Sequence, residues 1–466
     1  TVNGTFTWLR TAGYIMGPNG TGNATIECRG DIDNQNHGNT GNPYFTLDGT
    51  GYQTIKDTSG VLNYTGYSGG DFRGLTINKS GGGVILACDP LIYNGLSLVS
   101  GYVSTGPNWW FVADTSGTAN IVSTAGSLNL GNVTLAGNIG SAFSTGLHVA
   151  NLNLNGFGFT APSVLYVSGD WTNSASAAFV AGTGTVIFNG TAANQNIVAG
   201  TVGFYNLTDA NASGFSLNVT GTMIVNGTFT WLRTAGYIMG PNGTGNAAIE
   251  CRGDIDNQNH GNTGNPYFTL DGTGYQTIKD TSGVLNVTGY SGGDFRGLTI
   301  NKSGGGVILA CDPLIYNGLK LQSGYVSTGT NWWFVGNTSG GTNIVSTAGS
   351  LSLGNVTLAG NIGAAFATGL HVANLNLNAF SFTAPSVLYV SGDWNNTAKA
   401  AFNANGGTVI FNGTGTQQKL TSGGKSFYNL TIAVGATVQL QDDLTYLVTL
   451  VTSGVLNRNG HKVNGV

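Results

Sequence analysis

The chain has 466 residues, of which 40% are hydrophobic, only 8% are charged and 77 are glycine. So few charges are unusual for a cytosolic globular protein, whereas so many apolar and aromatic residues exclude a disordered chain. The formal net charge is −4 with scattered basic residues, and no apolar run approaches the roughly 18 residues of a membrane span, so we expect neither nucleic-acid binding nor membrane insertion.

The sequence is a tandem repeat. Residues 2–10, Val-Asn-Gly-Thr-Phe-Thr-Trp-Leu-Arg, return as residues 225–233, an offset of 223. The offset holds without a gap down to the segments 204–208 and 427–431. The sequence therefore predicts a first repeat unit at 1–223, a second and nearly identical unit at 224–446, and the start of a third, divergent unit at 447–466.

A weaker repeat lies inside each unit. Gly30-Asp31 matches Gly169-Asp170, and a glutamine follows each pair at Gln53 and Gln195. Each unit therefore holds two degenerate modules, one of which carries an insertion at about residues 102–162.

Short strand patterns fill both modules. Residues 24–29 and 151–154 alternate between apolar and polar side chains, and Gly-Asn, Asn-Gly, Ser-Gly and Asp-Gly pairs separate such runs. We find no capped stretch with helical periodicity. The pattern predicts an all-β parallel β-solenoid with rungs of about 20 residues and near-zero helix. Tandem β-sandwiches would need linkers, and a propeller would need blades of about 40 to 50 residues.

Three sequence phrases are similar to a repeat class of very large bacterial and archaeal extracellular β-solenoid surface proteins. They are Gly-Asp-Trp-Thr-Asn at 169–173, Thr-Val-Ile-Phe-Asn-Gly-Thr at 185–191, and Phe-Tyr-Asn-Leu-Thr at 204–208, with returns at 392–394 and 411–414. The resemblance implies a cell-surface or fibre role and no particular chemistry. The insertion around Trp109-Trp110 does not match these phrases.

Two short motifs suggest binding sites but also have structural interpretations. Residues 29–31 spell Arg-Gly-Asp, yet the sister module has Ser168-Gly169-Asp170, so the shared part is a Gly-Asp turn. Four closely spaced residues offer oxygen ligands for calcium, although Asn and Asp also favour turns: Asp31, Asp33, Asn34 and Asn36.

The sequence offers no catalytic constellation. Most of the 20 acidic residues stand singly at turns, and four histidines lack a nearby acid or base: His37, His148, His260 and His371. We therefore expect no enzyme activity, no metal site and no cofactor.

The paired tryptophans Trp109-Trp110 and Trp332-Trp333 have two interpretations. Exposed aromatic pairs can stack on sugar rings, which would make a glycan-binding patch, but aromatic side chains more often pack in a core. We expect core packing and keep the glycan patch as the alternative.

The four cysteines, Cys28, Cys88, Cys251 and Cys311, are expected to be buried free thiols, because Cys28 and Cys88 lie about three rungs apart. N-glycosylation sequons are dense, although Asn, Gly and Thr are also common in turns. Ten candidate glycan sites occur in the first unit: Asn3, Asn19, Asn23, Asn63, Asn78, Asn132, Asn189, Asn206, Asn211 and Asn218.

The ends of the chain carry strand patterns without polar caps. Unpaired strand edges adhere to one another, so we expect copies of the chain to stack head to tail. The candidate interface residues are Val2, Phe6, Trp8, Tyr446, Val448, Leu450 and Val455. The sequence thus predicts a self-assembling structural subunit of an extracellular or cell-surface fibre, filament or sheath. The alternative is an adhesin stalk or carbohydrate-binding surface protein with glycans as partners.

Overall fold

A computed structural model shows an all-β chain with about 1% helix, folded as a parallel β-solenoid of about 18 turns with rungs of roughly 21 residues. This confirms the predicted fold class. The structure describes the chain except for residues 10–14, 19–21, 36–42, 61–66, 69, 114–120, 124–128, 140–145, 176–177, 202, 213, 233–235, 259–265, 286–288, 337–343, 347–351 and 364–368.

The chain divides into two compact units. The first comprises Thr1–Ile224 together with Pro241–Gly243, and the second comprises Val225–Gly240 together with Thr244–Val466. Residues 447–466 lie in the second unit. A short 3₁₀ turn at Pro241–Gly243 is the one helical segment of three residues among the described residues.

The strands of the first unit are short, apart from β7 and β9, which bend round a corner of the coil. They are β1 (Phe6–Trp8), β2 (Thr25–Cys28), β3 (Ile32–Asn34), β4 (Tyr44–Leu47), β5 (Gln53–Lys56), β6 (Asp71–Phe72), β7 (Gly74–Leu86), β8 (Leu91–Ile92), β9 (Leu96–Ser104), β10 (Trp110–Val112), β11 (Ile121–Ser123), β12 (Val133–Leu135), β13 (Leu147–Val149), β14 (Leu152–Asn153), β15 (Phe159–Thr160), β16 (Val164–Val167), β17 (Trp171–Thr172), β18 (Phe179–Val180), β19 (Thr185–Phe188), β20 (Gln195–Val198), β21 (Asn206–Asp209) and β22 (Leu217–Thr220).

The boundary between the units falls within β23 (Thr222–Val225). The strands of the second unit follow the same plan: β24 (Phe229–Trp231), β25 (Ile238–Met239), β26 (Ala248–Cys251), β27 (Ile255–Asn257), β28 (Tyr267–Leu270), β29 (Gln276–Lys279), β30 (Asp294–Phe295), β31 (Gly297–Leu309), β32 (Leu314–Ile315), β33 (Leu319–Ser327), β34 (Trp333–Val335), β35 (Ile344–Ser346), β36 (Val356–Leu358), β37 (Leu370–Val372), β38 (Leu375–Asn376), β39 (Phe382–Thr383), β40 (Val387–Val390), β41 (Trp394–Asn395), β42 (Phe402–Asn403), β43 (Thr408–Phe411), β44 (Gln417–Thr421), β45 (Ser426–Ile432), β46 (Thr437–Leu440), β47 (Leu444–Thr452), β48 (Val455–Asn457) and β49 (Val463–Gly465).

The named strands pair in parallel with their equivalents in neighbouring rungs. In the first unit, one sheet has the order β1-β3-β5-β7-β4-β2, with β9 on β7 and β11 on β9, and another has the order β22-β20-β17-β14-β12-β10-β8-β6. A third sheet joins β13, β16, β19 and β21, and β15 pairs with β18.

The second unit repeats these sheets. One contains β24, β27, β29, β31, β28 and β26, with β33 on β31 and β35 on β33. A second has the order β30-β32-β34-β36-β38-β41-β44-β46-β48, a third has the order β37-β40-β43-β45-β47-β49, and β39 pairs with β42.

Rung length varies along the coil. Residues that hydrogen-bond between neighbouring rungs are 19 positions apart at Asn132 and Asn151, whereas Lys79 donates to the backbone carbonyl of Asp48, 31 positions earlier. Most strand pairs keep one register, but the β7–β9 and β31–β33 pairs shift register on both sides of Asn78 and Asn301.

Alternating side chains build the core from in-register columns. In the first unit, six buried residues on successive strands form one such column: Trp110, Val133, Leu152, Trp171, Ile197 and Val219. Burying an apolar side chain of this size contributes about 1.5–3 kcal/mol, so repeated columns supply most of the stabilisation. The second unit has the matching column Trp333, Val356, Leu375, Trp394, Leu420 and Leu440.

A buried glutamine secures the Gly-Asp turn in each of the four modules. Gln195 Nε2 donates to the carbonyl oxygen of Val167 at 2.9 Å and also to that of Gly169. A second hydrogen bond joins the same two segments, because Asp170 Oδ1 of the turn accepts the N–H of Asn196, the residue after Gln195, at 2.8 Å. The same bonds recur around Gln53, Gln276 and Gln418. We call this arrangement the glutamine clamp.

The glycine of the turn is required by close packing. A Cβ atom on Gly30 would lie 2.3 Å from the Gly4 carbonyl oxygen, and one on Gly169 would lie 2.2 Å from Asn151 Oδ1. Glycine therefore lets one rung approach the preceding rung closely enough for the clamp to form.

The side-chain oxygen of the clamp glutamine accepts its hydrogen bond from a different donor in each of the two module types. Gln195 Oε1 accepts the Gly190 N–H at 3.2 Å, whereas Gln53 Oε1 accepts from Lys79 Nζ. Lys79 is buried and also donates to the Asp48 carbonyl oxygen at 2.8 Å. Burial lowers the pKa of the Lys79 ammonium because desolvation disfavours its charged form. In the second unit Lys302 repeats these contacts.

Replacing a clamp glutamine should destabilise the solenoid. Gln195→Ala would remove the donor of the Gly169 carbonyl group, whereas the Val167 carbonyl group would keep the Asn189 N–H and the Gly190 N–H would keep Asn211 Oδ1. Because one unsatisfied buried group costs about 1–3 kcal/mol, we expect a loss of that size in the free energy of unfolding, measured with denaturant. Thr191→Ala, on the exposed turn before β20, is the control and should change stability by less than about 0.5 kcal/mol. Equal stability of both variants would contradict the clamp.

Candidate functional site

The Arg-Gly-Asp turn and the calcium candidates are parts of the hydrogen-bonded frame. Asp31 Oδ1 accepts the Thr54 N–H at 2.8 Å, and its Oδ2 pairs with Lys56 at 3.3 Å. Asp33 accepts hydrogen bonds from Thr58 and Gln35, while Asn36 lies outside the described residues. These carboxylate oxygens thus already face protein donors. The described residues contain no group of three His, Cys, Asp or Glu side chains that could hold a metal ion.

Of the four histidines considered above, the two that the structure describes lie on outer strand positions. His148 stacks on Tyr166 with ring centroids 4.1 Å apart, and His371 stacks on Tyr389 at the same distance. His37 and His260 lie outside the described residues. The stacking partners are neighbours in parallel strands, so this contact is a feature of sheet register.

The ten predicted glycan sites separate by exposure. Asn3, Asn23 and Asn78 are exposed, and Asn189 and Asn206 are half-buried. Three are buried and hydrogen-bonded between rungs: Asn132, Asn211 and Asn218. Asn19 and Asn63 lie outside the described residues.

Asn132 belongs to a ladder of polar side chains along the first unit. Its Nδ2 donates to the carbonyl oxygens of Gly106 and Asn108 at 3.0 Å, while its Oδ1 accepts from Asn151 at 2.8 Å. Asn151 Oδ1 in turn accepts the Asp170 N–H at 2.5 Å. A glycan on Asn132 would break this ladder.

Strand alternation separates each tryptophan pair. Trp110 and Trp333 are fully buried, and their indole N–H groups donate to the carbonyl oxygens of Leu130 and Leu353 at 2.8 Å. Trp109 and Trp332 are half-buried and lie outside the core column. The core interpretation therefore holds for the second tryptophan of each pair only.

Trp332 begins a concave surface on the outer face of the second unit. One pocket there is lined by Trp332, Phe334, Thr357, Asn376 and Asn378. A second pocket includes Asn395, Lys419, Thr421 and Gln441. Strand register joins the two pockets, because Phe334, Thr357, Asn376, Asn395 and Thr421 are successive partners. We call this surface the outer groove.

The first unit has a less polar row at the same register. Its successive partners are Phe111, Thr134, Asn153, Thr172 and Val198. Thr172 and Val198 thus occupy the positions of Asn395 and Thr421. The sequence did not identify the groove asparagines and threonines as a site. The one signal for them was that Thr172 and Val198 of the first unit are replaced by the more polar Asn395 and Thr421 in an otherwise similar second unit.

The last strands of the second unit expose apolar side chains. Leu430 and Val438 are buried, but their in-register neighbours Leu450 and Leu456 are half-buried. Val448 is 53% exposed and Val455 is 58% exposed, whereas Tyr446 is half-buried beside Gly465. The apolar pattern of the core therefore continues onto a surface of β47 and β48.

The predicted interface residues near the start of the chain, Val2, Phe6 and Trp8, are less exposed than Val448 and Val455. Val2 forms a parallel bridge to Cys28, and Phe6 packs edge-on against Phe45 with centroids 5.3 Å apart. Both are half-buried, and Trp8 is buried. Among these three residues, Val2 and Phe6 retain accessible apolar area.

All four cysteines are buried free thiols, as the sequence predicted. Burial raises the pKa of each thiol, to about 12 for Cys251, because desolvation disfavours the thiolate.

Comparisons with protein-family models, with curated proteins and with solved structures found no match to this chain. Within the described part of the chain, no helix is long and apolar enough to cross a membrane.

The buried thiols should be inert in the folded protein. The thiolate is the reactive species, so raised pKa values and burial should both prevent reaction with a disulfide reagent at pH 8. We expect almost no reaction of the native chain and four thiols per chain after denaturation without reductant. Rapid modification of the native protein, or fewer than four thiols after denaturation, would contradict this prediction.

The solvent exposure of each asparagine predicts which sequons can carry a glycan. After secretion from a host that attaches N-glycans, we expect modification at Asn3, Asn23 and Asn78 and none at the buried Asn132, Asn211 or Asn218. Peptide mass spectrometry measures the occupancy of each site, and the bare chain of 47.8 kDa is the reference for intact mass. A glycan on Asn132 would show that exposure does not select the sites, whereas a protein of bare mass would contradict glycosylation of the exposed sites.

Proposed function

We propose that this chain is a structural subunit of an extracellular or cell-surface fibre, filament or sheath, and that copies assemble head to tail. The observation that carries the proposal is the accessible end of the apolar column on β47 and β48, where the half-buried Leu450 and Leu456 follow the buried Leu430 and Val438. A parallel rung stacked on that surface would bury these side chains and pair the strand edge.

The occupant that fits best is a second copy of the chain. A further rung must present parallel strands at the same register and an apolar inner column, which a copy supplies at its accessible Val2 and Phe6. Such a contact joins two different surfaces, so it continues from copy to copy rather than closing as a dimer. The product would be a filament with a mechanical role.

A second candidate function, carbohydrate binding by an adhesin stalk, is favoured by the outer groove. Trp332 and Phe334 provide aromatic faces there, next to amide and hydroxyl groups. The two functions use different surfaces, so both could belong to one surface protein.

Charges placed on the exposed end surface should prevent assembly. We expect the unmodified chain to form filaments in negative-stain micrographs and the double variant Leu450→Lys/Leu456→Lys to remain monomeric by light scattering. A lysine buried in the contact would lose its hydration without a partner.

Val434→Lys is the matched control. Val434 is 80% exposed but lies in the turn between β45 and β46, so this variant should assemble like the unmodified chain. A chain that stays a monodisperse monomer at high concentration, over a range of salt and pH, would refute head-to-tail assembly.

A further inference from the structure

We propose that the outer groove of the second unit binds an extended, uncharged polysaccharide chain along the solenoid axis. This inference rests on the carbohydrate-binding candidate function and specifies its ligand class and its residues. It does not depend on filament assembly.

The aromatic end of the groove is held in place by its neighbours. Trp332 is half-buried, and its backbone N–H donates to Asp312 Oδ1 at 2.7 Å. The Phe334 ring lies 4.8 Å from the Tyr290 ring at an angle of 53°. Pre-positioned aromatic faces can cover the apolar C–H face of a sugar ring with little loss of side-chain entropy.

The polar part of the groove has oriented hydrogen-bond donors. Asn376 Oδ1 accepts the Asn378 N–H at 3.1 Å, and Asn395 Oδ1 accepts the Thr397 N–H at 3.0 Å. Each amide therefore uses its oxygen within the chain. The Nδ2 groups of Asn376 and Asn395 donate to no described protein acceptor and remain available for sugar hydroxyl oxygens.

Rung spacing matches these donors to an extended chain. Parallel strands lie about 4.8 Å apart, close to the length of one pyranose residue, so Asn376, Asn395 and Thr421 can each contact a successive sugar. A helical or compact glycan would not follow a straight row of this kind.

The charges near the groove favour an uncharged ligand. Lys419 and Asp393 both line the far pocket and carry opposite charges. The groove therefore offers no excess of positive charge to a polyanion, and its hydrogen-bonding groups are otherwise neutral.

The first unit supplies a natural control for the polar row. Thr172 and Val198 occupy the equivalent strand positions in the first unit. The double variant Asn395→Thr/Thr421→Val should therefore fold normally. The reverse change, Thr172→Asn/Val198→Thr, should create the polar row in the first unit, where Trp109 and Phe111 are already present.

Binding of the full chain to insoluble cellulose and chitin would be measured by depletion isotherms, with soluble polygalacturonate as the polyanion. We expect saturable binding to at least one neutral polymer, and binding about tenfold weaker for Asn395→Thr/Thr421→Val and for Trp332→Ala. The reverse variant should increase the number of sites per chain. Thermal unfolding of each variant should match that of the unmodified chain.

The proposal is overturned if neither neutral polymer binds, if polygalacturonate binds more tightly than both, or if Asn395→Thr/Thr421→Val binds as well as the unmodified chain. Filament formation is scored separately on the same variants. Lost glycan binding with intact filaments supports the groove, whereas absent glycan binding in a chain that assembles refutes the groove and leaves the fibre proposal standing.

Discussion

The solenoid depends on satisfying the backbone at turns, where strand pairing stops. Parallel pairing satisfies the strands themselves, but the glycine carbonyl group of each Gly-Asp turn takes its hydrogen bond from a side chain. A buried glutamine donates that bond in all four modules, as Gln195 does for Gly169, and it adds a second bond to a carbonyl group such as Val167, which also accepts a backbone N–H. Its own oxygen accepts either a backbone N–H or a buried lysine, so two module types share one turn geometry.

The two units can differ at outward strand positions more readily than at inward ones. Inward positions such as Trp171 and Trp394 form packed columns and stay apolar in both units, as Ile197 and Leu420 do. The outward neighbours, Thr172 and Asn395, make no contribution to the column. Polar variation is therefore tolerated there, and it is at these positions that the second unit acquires the outer groove.

The proposed fibre and glycan functions follow from two properties of the same repeating geometry. A rung whose apolar column remains accessible, as at Leu450 and Leu456, can be extended by another rung. In the outer row, Asn376, Asn395 and Thr421 present polar groups on successive strands, one strand spacing apart. The proposed assembly uses the accessible end of the column, and the proposed ligand binding uses the outer row. Neither function requires a catalytic residue.

The sequence by itself determined the repeat, the absence of long helices and the parallel solenoid, because period-two alternation and Gly-Asp turns are local signals. It also indicated the buried thiols. Only the tertiary structure decided that Trp110 is core while Trp109 is not, that Asn132 belongs to an inter-rung ladder, and that Asn376, Asn395 and Thr421 form one surface. Those outcomes depend on register between strands about 20 residues apart in sequence, and a shift of one residue would reverse every inward and outward position.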